Sequence, residues 1–362
     1  MKTNTLFTPI NIGPLTLKNR IVMAPMTRCR ALNNIPNDLM AEYYDQRTDA
    51  GLIITEGTSP SPNGLGYARI PGIFSKEQIE GWEKVTSLVH FHNSIIFVQL
   101  MHTGRISHHL NMPEGSRILA PSAILPAGQM WTDSSKLQDY SIPEEMSSDD
   151  MLHAKSEFVT AAKNALDAGF DGVELHAANG YLLEQFISPI TNFRTDNYGG
   201  NIENRCRFVI DVVATVAEVI GKEKTGIRLS PYGIANDMAH YPEMSETYAY
   251  LAEQFNSLGI AYIHLVDHSS MGGPVVPSAL KEVIRDTFKN TLILSGGYNY
   301  ERAENDIQKG LCDMVAFGRA FICNPDLVDR FQNKWVLSND LKMDEFYSAS
   351  SIGYTDYPIF KI

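Results

Sequence analysis

The sequence predicts an α/β fold, and within that class a closed (β/α)8 barrel of the TIM type. Apolar runs of strand length occur eight times, each followed by a polar or glycine-rich loop and then by apolar residues at helical spacing. No change in composition divides the 362 residues, a length that barrels with insertions reach. Because β–α–β crossovers are right-handed and eight such units close on themselves, a barrel is favoured over an open doubly wound sheet. We therefore expect residues 1–362 to form a single domain.

The eight strands are predicted from runs of Val, Ile, Leu and Phe that end at polar residues, glycine or proline. They cover 21–27, 52–56, 95–100, 172–175, 225–231, 261–266, 291–297 and 314–319. The helices are predicted from apolar spacing and from their ends, such as Asp149 and Asp150 in one first turn and Pro277 in another. They cover 39–48, 75–93, 149–167, 182–187, 204–219, 246–258, 277–288 and 301–309.

Three segments lie outside this repeat. Residues 1–20 alternate apolar and polar residues around Gly13 and Pro14, which predicts a hairpin that closes the bottom of the barrel. Residues 102–147, after the third strand, are rich in Pro, Gly and Ser and too long for a plain loop. We expect this insertion to form a lid or pocket wall, although an excursion without a role in the site is an alternative. The aromatic tail 346–360 could fold back across the strand-end face.

Composition excludes several classes of function. The formal net charge is -12 and no dense run of Lys or Arg occurs, so neither nucleic acid nor an anionic membrane is an expected partner. No segment approaches the roughly 20 apolar residues that span a bilayer, and the first residues form no apolar signal segment. The four cysteines form no CxxC pair, which is typical of buried thiols in a reducing compartment. A cytoplasmic protein is expected.

Three polar side chains follow the strand at 172–175 within a few residues of each other. His176 and Asn179 can each donate a hydrogen bond to one carbonyl oxygen, and Tyr181 carries a phenol that can give up a proton. Since loops at the carboxyl ends of parallel strands meet the ligand, this set suits polarisation of a carbonyl and protonation of a carbon. The alternative is a core histidine, a turn asparagine and a packing tyrosine.

A phosphate site is predicted after strands seven and eight. Gly296, Gly297 and Gly318 allow backbone N–H groups to approach an anion closely, next to the start of a helix in each case. Arg319 could supply the full counter-charge. Glycines in ordinary turns and a surface ion pair for Arg319 are the alternative, but both features fall where barrels bind phosphate.

Other strand ends offer hydrogen-bond donors to a flat heteroaromatic ring. Thr27, Gln99 and Arg228 end the first, third and fifth strands, and their donors match the carbonyl and ring-nitrogen acceptors of a flavin. These residues thus favour a phosphate-bearing flavin as the ligand bound at the strand ends of the barrel.

Six segments in order resemble the old yellow enzyme family of FMN-dependent ene-reductases, and the resemblance covers essentially the whole chain. The ending GYTDYP, at 353–358, is most similar to the bacterial N-ethylmaleimide reductase branch. The segments are APMTR at 24–28, VQLMHTGR at 98–105, ELHAANGYLLEQFISP at 174–189, NFRTDNYGG at 192–200, GIRLSP at 226–231 and VAFGR at 315–319.

The resemblance implies a role for each matching residue. His176 and Asn179 would hold the substrate oxygen, while Tyr181 would protonate the alkene carbon opposite the one that takes hydride from FMN N5. Tyr67, Met101 and Tyr354 would complete the substrate pocket. The residues implied to bind FMN are Pro25, Met26, Thr27, Gly57, Gln99, Arg228, Gly296, Gly297, Gly318 and Arg319.

The reaction implied by the resemblance is ping-pong. NADPH or NADH would reduce bound FMN and leave, and an electrophilic acceptor would then enter the same site. The acceptors implied are α,β-unsaturated carbonyls, maleimides, quinones and nitro compounds. No GxGxxG follows a strand, so no separate nicotinamide domain is expected.

Two positions bear on how closely the chain follows the family pattern. A tryptophan commonly follows VQL in this branch, whereas this chain has Met101, which should reshape the pocket. Cys29 lies two positions after Thr27 and so does not match the flavin-tuning cysteine of the other main branch; we assign it to packing.

Other functions would require features that differ from these. A metal-dependent barrel hydrolase would need several ligands at strand ends, and of the candidate histidines His264 and His268 lie near strand six and could line the pocket. The larger iron–sulfur relatives would need a cysteine cluster and a further nucleotide domain, which this sequence lacks. A non-enzymatic flavin sensor or store could be built on the same barrel, but it would not need His176, Asn179 and Tyr181. The presence of all three therefore argues against this alternative. No metal is expected.

Overall fold

The computed structural model describes residues 4–360; residues 1–3 of the predicted hairpin segment and residues 361–362 lie outside the described range. The strands are β1 Ile10–Ile12, β2 Leu15–Leu17, β3 Ile21–Met23, β4 Leu52–Thr58, β5 Ile95–Leu100, β6 Leu119–Ala120, β7 Gln129–Thr132, β8 Lys136–Asp139, β9 Glu144–Glu145, β10 Gly172–Ala177, β11 Thr225–Leu229, β12 Tyr262–Val266, β13 Thr291–Ser295 and β14 Met314–Phe317. The α-helices are α1 Asp38–Asp45, α2 Lys76–Phe91, α3 Ser148–Asp167, α4 Leu182–Ile187, α5 Ile202–Ile220, α6 Met244–Leu258, α7 Ser278–Thr287, α8 Tyr300–Gln308, α9 Arg319–Cys323 and α10 Leu327–Asn333.

Eight parallel strands close into a barrel in the order β10-β11-β12-β13-β14-β3-β4-β5, which confirms the predicted fold. Every residue of β10, β11 and β12 is buried, as expected for strands covered on both faces. The register pairs Gln99 with Glu174, and it pairs Arg228 with both His176 and His264. Polar side chains from neighbouring strands therefore lie side by side at one end of the barrel.

The helices form where the sequence offers a cap and an apolar face. Ser147 begins α3 with a capping box, in which its side chain accepts from Asp150 N–H and the Asp150 carboxylate accepts from Ser147 N–H. Asn201 caps α5 in the same position, and the apolar face of that helix buries four valines against the barrel. Sequence-based helix bounds differ from the observed ones by a few residues at most.

The predicted N-terminal hairpin is present. β1 and β2 pair antiparallel, and the hairpin turns at Gly13 with a positive φ of 53°. Ile12 and Leu17 pack against Val22, Phe97 and further apolar side chains inside the barrel. The hairpin therefore covers the end of the barrel opposite the polar side chains.

The insertion after the third barrel strand carries two small sheets. β6 pairs with β9, and β7 pairs with β8 as an antiparallel hairpin. Arg194 joins the insertion to the barrel, because its Nη1 donates to the carbonyls of Pro121 and Met146 while Nη2 pairs with Asp196. The loop that contains NFRTDNYGG thus anchors the segment between 102 and 147.

Two buried arginines hold the C-terminal tail across the strand-end face. Arg28 Nη2 donates to the Gly353 carbonyl at 2.6 Å, and Arg28 Nε donates to the Phe346 carbonyl at 3.1 Å. Arg30 donates to the carbonyls of Phe346, Glu345 and Ile352. The guanidinium of Arg30 also lies 4.7 Å from the centre of the Tyr354 ring.

Some strands end earlier than the sequence predicts. The first barrel strand stops at Met23 rather than at 27, and Pro25 follows it. A proline has no N–H to pair in a sheet, which accounts for the early end. The last strand stops at Phe317, and Arg319 begins α9 instead of ending the strand. The sequence does not predict α10.

Within residues 4–360, no helix combines the length and apolarity needed to cross a bilayer.

The arginine contacts to the tail predict a large stability effect. Arg30→Met should lower the free energy of unfolding by about 3 kcal/mol, since it leaves several carbonyls without their charged donor. It should also expose the tail to proteolysis. Urea denaturation and limited proteolysis measure the two effects. The matched control is Arg117→Met, which removes the ion pairs of a half-exposed guanidinium with Glu144 and Asp150 and should cost less than about 1 kcal/mol. Equal losses in both variants would contradict the anchoring role.

Candidate active site

A cavity of about 440 Å³ opens at the carboxyl ends of the barrel strands, the location predicted for the site. We call it the inner cavity. The predicted site residues that line it are Pro25, Met26, Thr27, Gln99, Met101, His176, Asn179, Tyr181, Arg228, Gly296, Gly297, Gly318 and Arg319. The fold therefore brings residues from all parts of the barrel to one pocket.

His176 and Asn179 lie next to each other on the wall of the inner cavity. The Ala178 N–H donates to Nδ1 of His176 at 3.3 Å, which leaves Nε2 to carry the proton of the neutral ring. Burial, together with the nearby Arg228, holds the pKa of His176 well below its usual value. Nε2 of His176 lies 3.4 Å from the Asn179 amide, whose Oδ1 has no partner among the described residues. A neutral imidazole and an amide thus stand ready to bind one ligand oxygen.

Tyr181 stands across from His176, with 4.9 Å between the ring centres. Its hydroxyl donates to the hydroxyl of Tyr67 at 3.1 Å. Burial raises the pKa of Tyr181 to about 12, so the phenol keeps its proton at neutral pH. Tyr181 can therefore serve as a proton donor.

A buried polar network lies beneath the cavity. Glu174 accepts a 2.8 Å hydrogen bond from Gln99 Nε2 and lies 2.9 Å from Nδ1 of His264. The other ring nitrogen of His264 is 2.9 Å from the Ser295 hydroxyl. Both nitrogens of His264 are therefore engaged by protein groups. Among residues 4–360, no group of three or more His, Cys, Asp or Glu side chains could hold a metal ion.

The cavity fits a flavin with a phosphate tail. Nε of the buried Arg228 has no hydrogen-bond partner among the described residues, so a donor is available for an acceptor-rich ring. Gly296 and Gly297 have positive φ angles of 115° and 64°. A Cβ on Gly296 would lie 2.0 Å from the Asp267 carbonyl oxygen, so only glycine fits there. With Arg319 beside these backbone groups, the loops after β13 and β14 can cradle a phosphate.

Three predicted site residues do not line the inner cavity: Tyr67 lines an adjoining cavity, whereas Tyr354 and Gly57 line neither. Tyr354 is completely buried and stacks on Tyr43 at 4.0 Å, so its prediction as a pocket aromatic is corrected. Its ring belongs to the arginine cluster that holds the tail. Gly57 lies behind Met101, because a Cβ on Gly57 would come within 2.5 Å of the Met101 sulfur. Gly57 thus makes room for Met101 rather than lining the flavin site.

Other side chains line the inner cavity without having been predicted to bind there. They include Tyr298, Phe346 and Tyr347, and also His268, which the sequence suggested only as a pocket-lining or metal-ligating candidate. The aromatic tail was the available signal for Phe346 and Tyr347. Which tail aromatic faces the cavity depends on the contacts of Arg28 and Arg30, which sequence spacing does not reveal.

An outer cavity of about 700 Å³ adjoins the inner one and shares Thr27, Tyr181 and Tyr347 with it. Its other walls come from Tyr67, the insertion and the tail. Arg69 ties the insertion to the tail, since it pairs with Asp133 and donates to the Tyr347 carbonyl. Residues of the insertion thus line this cavity, and the role of the insertion as the wall of the substrate pocket stays a prediction. Tyr67 lines this outer cavity, and its hydroxyl accepts a hydrogen bond from Tyr181, which lines both cavities.

Comparison with known proteins decides the family. Residues 5–337 match the model of the NADH:flavin oxidoreductase / NADH oxidase family. The chain belongs to this family. It is therefore an enzyme, a flavin oxidoreductase that depends on FMN.

Relatives of this flavin oxidoreductase match over nearly their whole length. A putative 12-oxophytodienoate reductase 11 of Oryza sativa subsp. japonica is 40% identical over 98% of both chains. A probable flavin mononucleotide-dependent alkene reductase of Leishmania infantum is 38% identical, over 98% of this chain and 97% of its own. The old yellow enzyme resemblance noted from the motifs is confirmed.

Solved structures of the family agree with the barrel. Morphinone reductase superposes with a TM-score of 0.94 at 41% identity, covering 98% of this chain and 96% of its own. The old yellow enzyme homologue from Zymomonas mobilis also gives a TM-score of 0.94, at 40% identity over 98% of this chain and 100% of its own. Morphinone reductase has further been solved in complex with tetrahydroNAD.

The unpartnered Nε of Arg228 predicts a measurable effect on cofactor binding. Arg228→Met should weaken FMN binding about tenfold, or about 1.4 kcal/mol, since it removes a charged donor from a buried site. Titration of the apoprotein with FMN, followed by flavin fluorescence, gives the affinity. Arg207→Met, a surface change outside the cavity, should leave it unaltered. An unchanged affinity in the Arg228 variant would exclude this arginine from the flavin site.

Proposed function

We propose that this enzyme uses NAD(P)H and FMN to reduce activated C=C bonds, with α,β-unsaturated carbonyl compounds as acceptors. The observation that carries the proposal is the arrangement of His176, Asn179 and Tyr181 on one wall of a cavity that fits a flavin. An oxygen-binding pair beside a phenolic proton donor is what reduction of an enone requires.

The side chains divide the work between binding and proton transfer. When bound, FMN supplies a hydride carrier that accepts from NAD(P)H and donates to the alkene. Nε2–H of His176 and the Asn179 amide hold the carbonyl oxygen and stabilise the negative charge that develops on it. Tyr181 delivers its proton to the alkene carbon that does not receive the hydride. The Tyr67 hydroxyl, 3.1 Å away, can then turn to donate to the phenolate.

One cavity serving both substrates supports ping-pong kinetics. The oxygen-binding pair sits beside the space where FMN would lie, so the nicotinamide and the acceptor would use it in turn. The outer cavity of about 700 Å³ gives room for substituents on the acceptor. The pair recognises an oxygen rather than an alkene, so the proposal includes maleimides, quinones and nitro compounds.

The proposal places the enzyme in the cytoplasm, working without nucleic acid or a membrane. All four cysteines are free and buried, as is common in a reducing compartment. The net charge of -12 disfavours contact with phosphate backbones. The proposal also keeps residues 1–362 as one functional domain. A flavin sensor or store gains no support, since the relatives are named as reductases and retention of flavin does not require Tyr181.

An anaerobic absorbance titration tests the proposed function. NADPH should bleach the yellow protein, and 2-cyclohexenone should then restore the colour, since the two half-reactions share the flavin. A protein that bleaches but is not reoxidised by the enone would overturn the acceptor class. Quinones and nitro compounds would then be titrated in the same cuvette.

Tyr181→Phe should slow reoxidation by 2-cyclohexenone about 10²-fold, the usual contribution of a general acid. Reduction of the flavin by NADPH should stay near the wild-type rate, since it does not use the phenol proton. Stopped-flow absorbance resolves both steps. Tyr250→Phe is the control, since it removes a phenol hydroxyl that lies outside both cavities. If Tyr181→Phe slows both half-reactions equally, the proton-donor assignment is wrong.

Met101→Trp should change which acceptors are reduced and from which face. A larger, rigid side chain would fill part of the inner cavity and press on Gly57, where no Cβ fits against the present methionine. Chiral chromatography of the products from a panel of substituted enones measures the change. Met343→Trp, at an exposed position outside both cavities, is the matched control. An unaltered product profile would mean that position 101 does not contact the acceptor.

A further inference from the structure

Glu184 is a fully enclosed carboxylate that the reaction proposed above does not use. It lies in α4, four residues after Gly180, and no Lys or Arg among residues 4–360 binds it. Three neutral groups donate to it instead. Oε2 accepts from Gly180 N–H at 2.5 Å, and Oε1 accepts from the hydroxyls of Ser230 and Tyr248, each at 2.8 Å. A buried charge held only by neutral donors is costly, which makes its place in the fold notable.

The carboxylate is tied twice to the turn between His176 and Tyr181. The direct tie is the bond from Gly180 N–H. The second runs through Ser230, whose Oγ accepts from Asn179 N–H at 2.8 Å while donating its own proton to Glu184. Two successive backbone N–H groups of the turn thus depend on one side chain.

The shape of the turn comes from its local sequence. Asn179 and Gly180 both have positive φ angles, 58° and 76°, and Asn-Gly is the dipeptide that adopts two consecutive left-handed residues most readily. The hydrogen bonds to Glu184 and Ser230 therefore fix where the turn lies relative to the cavity. This conformation directs the Asn179 amide toward His176 and leads the chain directly into Tyr181.

We propose that Glu184 is a positioning residue, which holds the Asn179–Gly180 turn so that the oxygen-binding amide and the proton donor face the acceptor together. Ser230 acts as its relay to Asn179. Tyr248 donates to the same carboxylate but has no hydrogen bond to the turn within the described part of the chain, so it stabilises the carboxylate without holding the turn. The inference rests on the alkene reduction proposed above.

Two variants separate positioning from simple stabilisation. Ser230→Ala and Tyr248→Phe each remove one hydroxyl donor from the same carboxylate, but only Ser230→Ala cuts a tie to the turn. Each is reduced with NADPH and mixed with saturating 2-cyclohexenone, and the reoxidation rate is read in a stopped-flow spectrometer. Burial raises the pKa of Glu184 to about 7, so the assay is run at about pH 9, where the carboxylate is ionised. Thermal unfolding of each variant is measured in parallel.

The expected result is a split between the two variants. Ser230→Ala should reoxidise about tenfold more slowly, as misplaced catalytic groups do, whereas Tyr248→Phe should stay near wild type even if its melting temperature falls further. Equal reoxidation rates in the two variants would overturn the proposal. If Glu184 only stabilised the fold, the loss of either hydroxyl donor would affect the rate to the same extent.

A second pair of variants at position 184 guards against misfolding. Glu184→Gln keeps an acceptor for Gly180 N–H and an amide that both hydroxyls can accept from, so it should retain most of the rate. Glu184→Leu keeps the approximate size but no acceptor, and it should lose at least as much rate as Ser230→Ala. If Glu184→Leu keeps the wild-type rate, positioning by Glu184 is excluded. A wild-type enzyme that the enone does not reoxidise would instead overturn the proposed function.

Discussion

Closure of the eight-stranded barrel is the constraint on which the site depends. β14 pairs with β3, so the first and last strands meet and every strand end faces the same cavity. The parallel register then sets neighbours precisely enough for chemistry, with His176 beside Arg228 and Gln99 beside Glu174. A shift of one residue in any of these pairs would turn the polar side chain out of the barrel.

Specific hydrogen bonds from protein groups hold the buried carboxylates around the cavity in place. Glu174 lies under the cavity between Gln99 and His264, and Glu184 lies behind the turn that carries Asn179. In a site from which water is excluded, dipoles and charges that are already aligned stabilise developing charge without reorganising. The network therefore links the stability of the barrel end to the chemistry it can perform.

Segments far apart in sequence complete the cavity walls. The tail reaches the site because Arg28 and Arg30 bind its carbonyls, and Arg69 joins it to the hairpin of the insertion. Tyr347 consequently borders both the inner and the outer cavity. The barrel supplies the fixed groups, whereas the tail and insertion shape the space available to an acceptor, a division that suits variation of substrate on one scaffold.

The sequence by itself determined the barrel, the hairpin and insertion, and most of the cavity lining. Strand periodicity and the polar residues at strand ends are local signals, and a closed parallel barrel turns strand ends into one site. Only the tertiary structure decided the roles of Tyr354, Gly57, Tyr347 and Glu184. Tyr354 packs against Tyr43 and Arg30, and the missing side chain of Gly57 leaves space for Met101. Tyr347, rather than Tyr354, lines the cavity. These placements depend on contacts between residues distant in sequence, and such contacts leave no trace in local spacing.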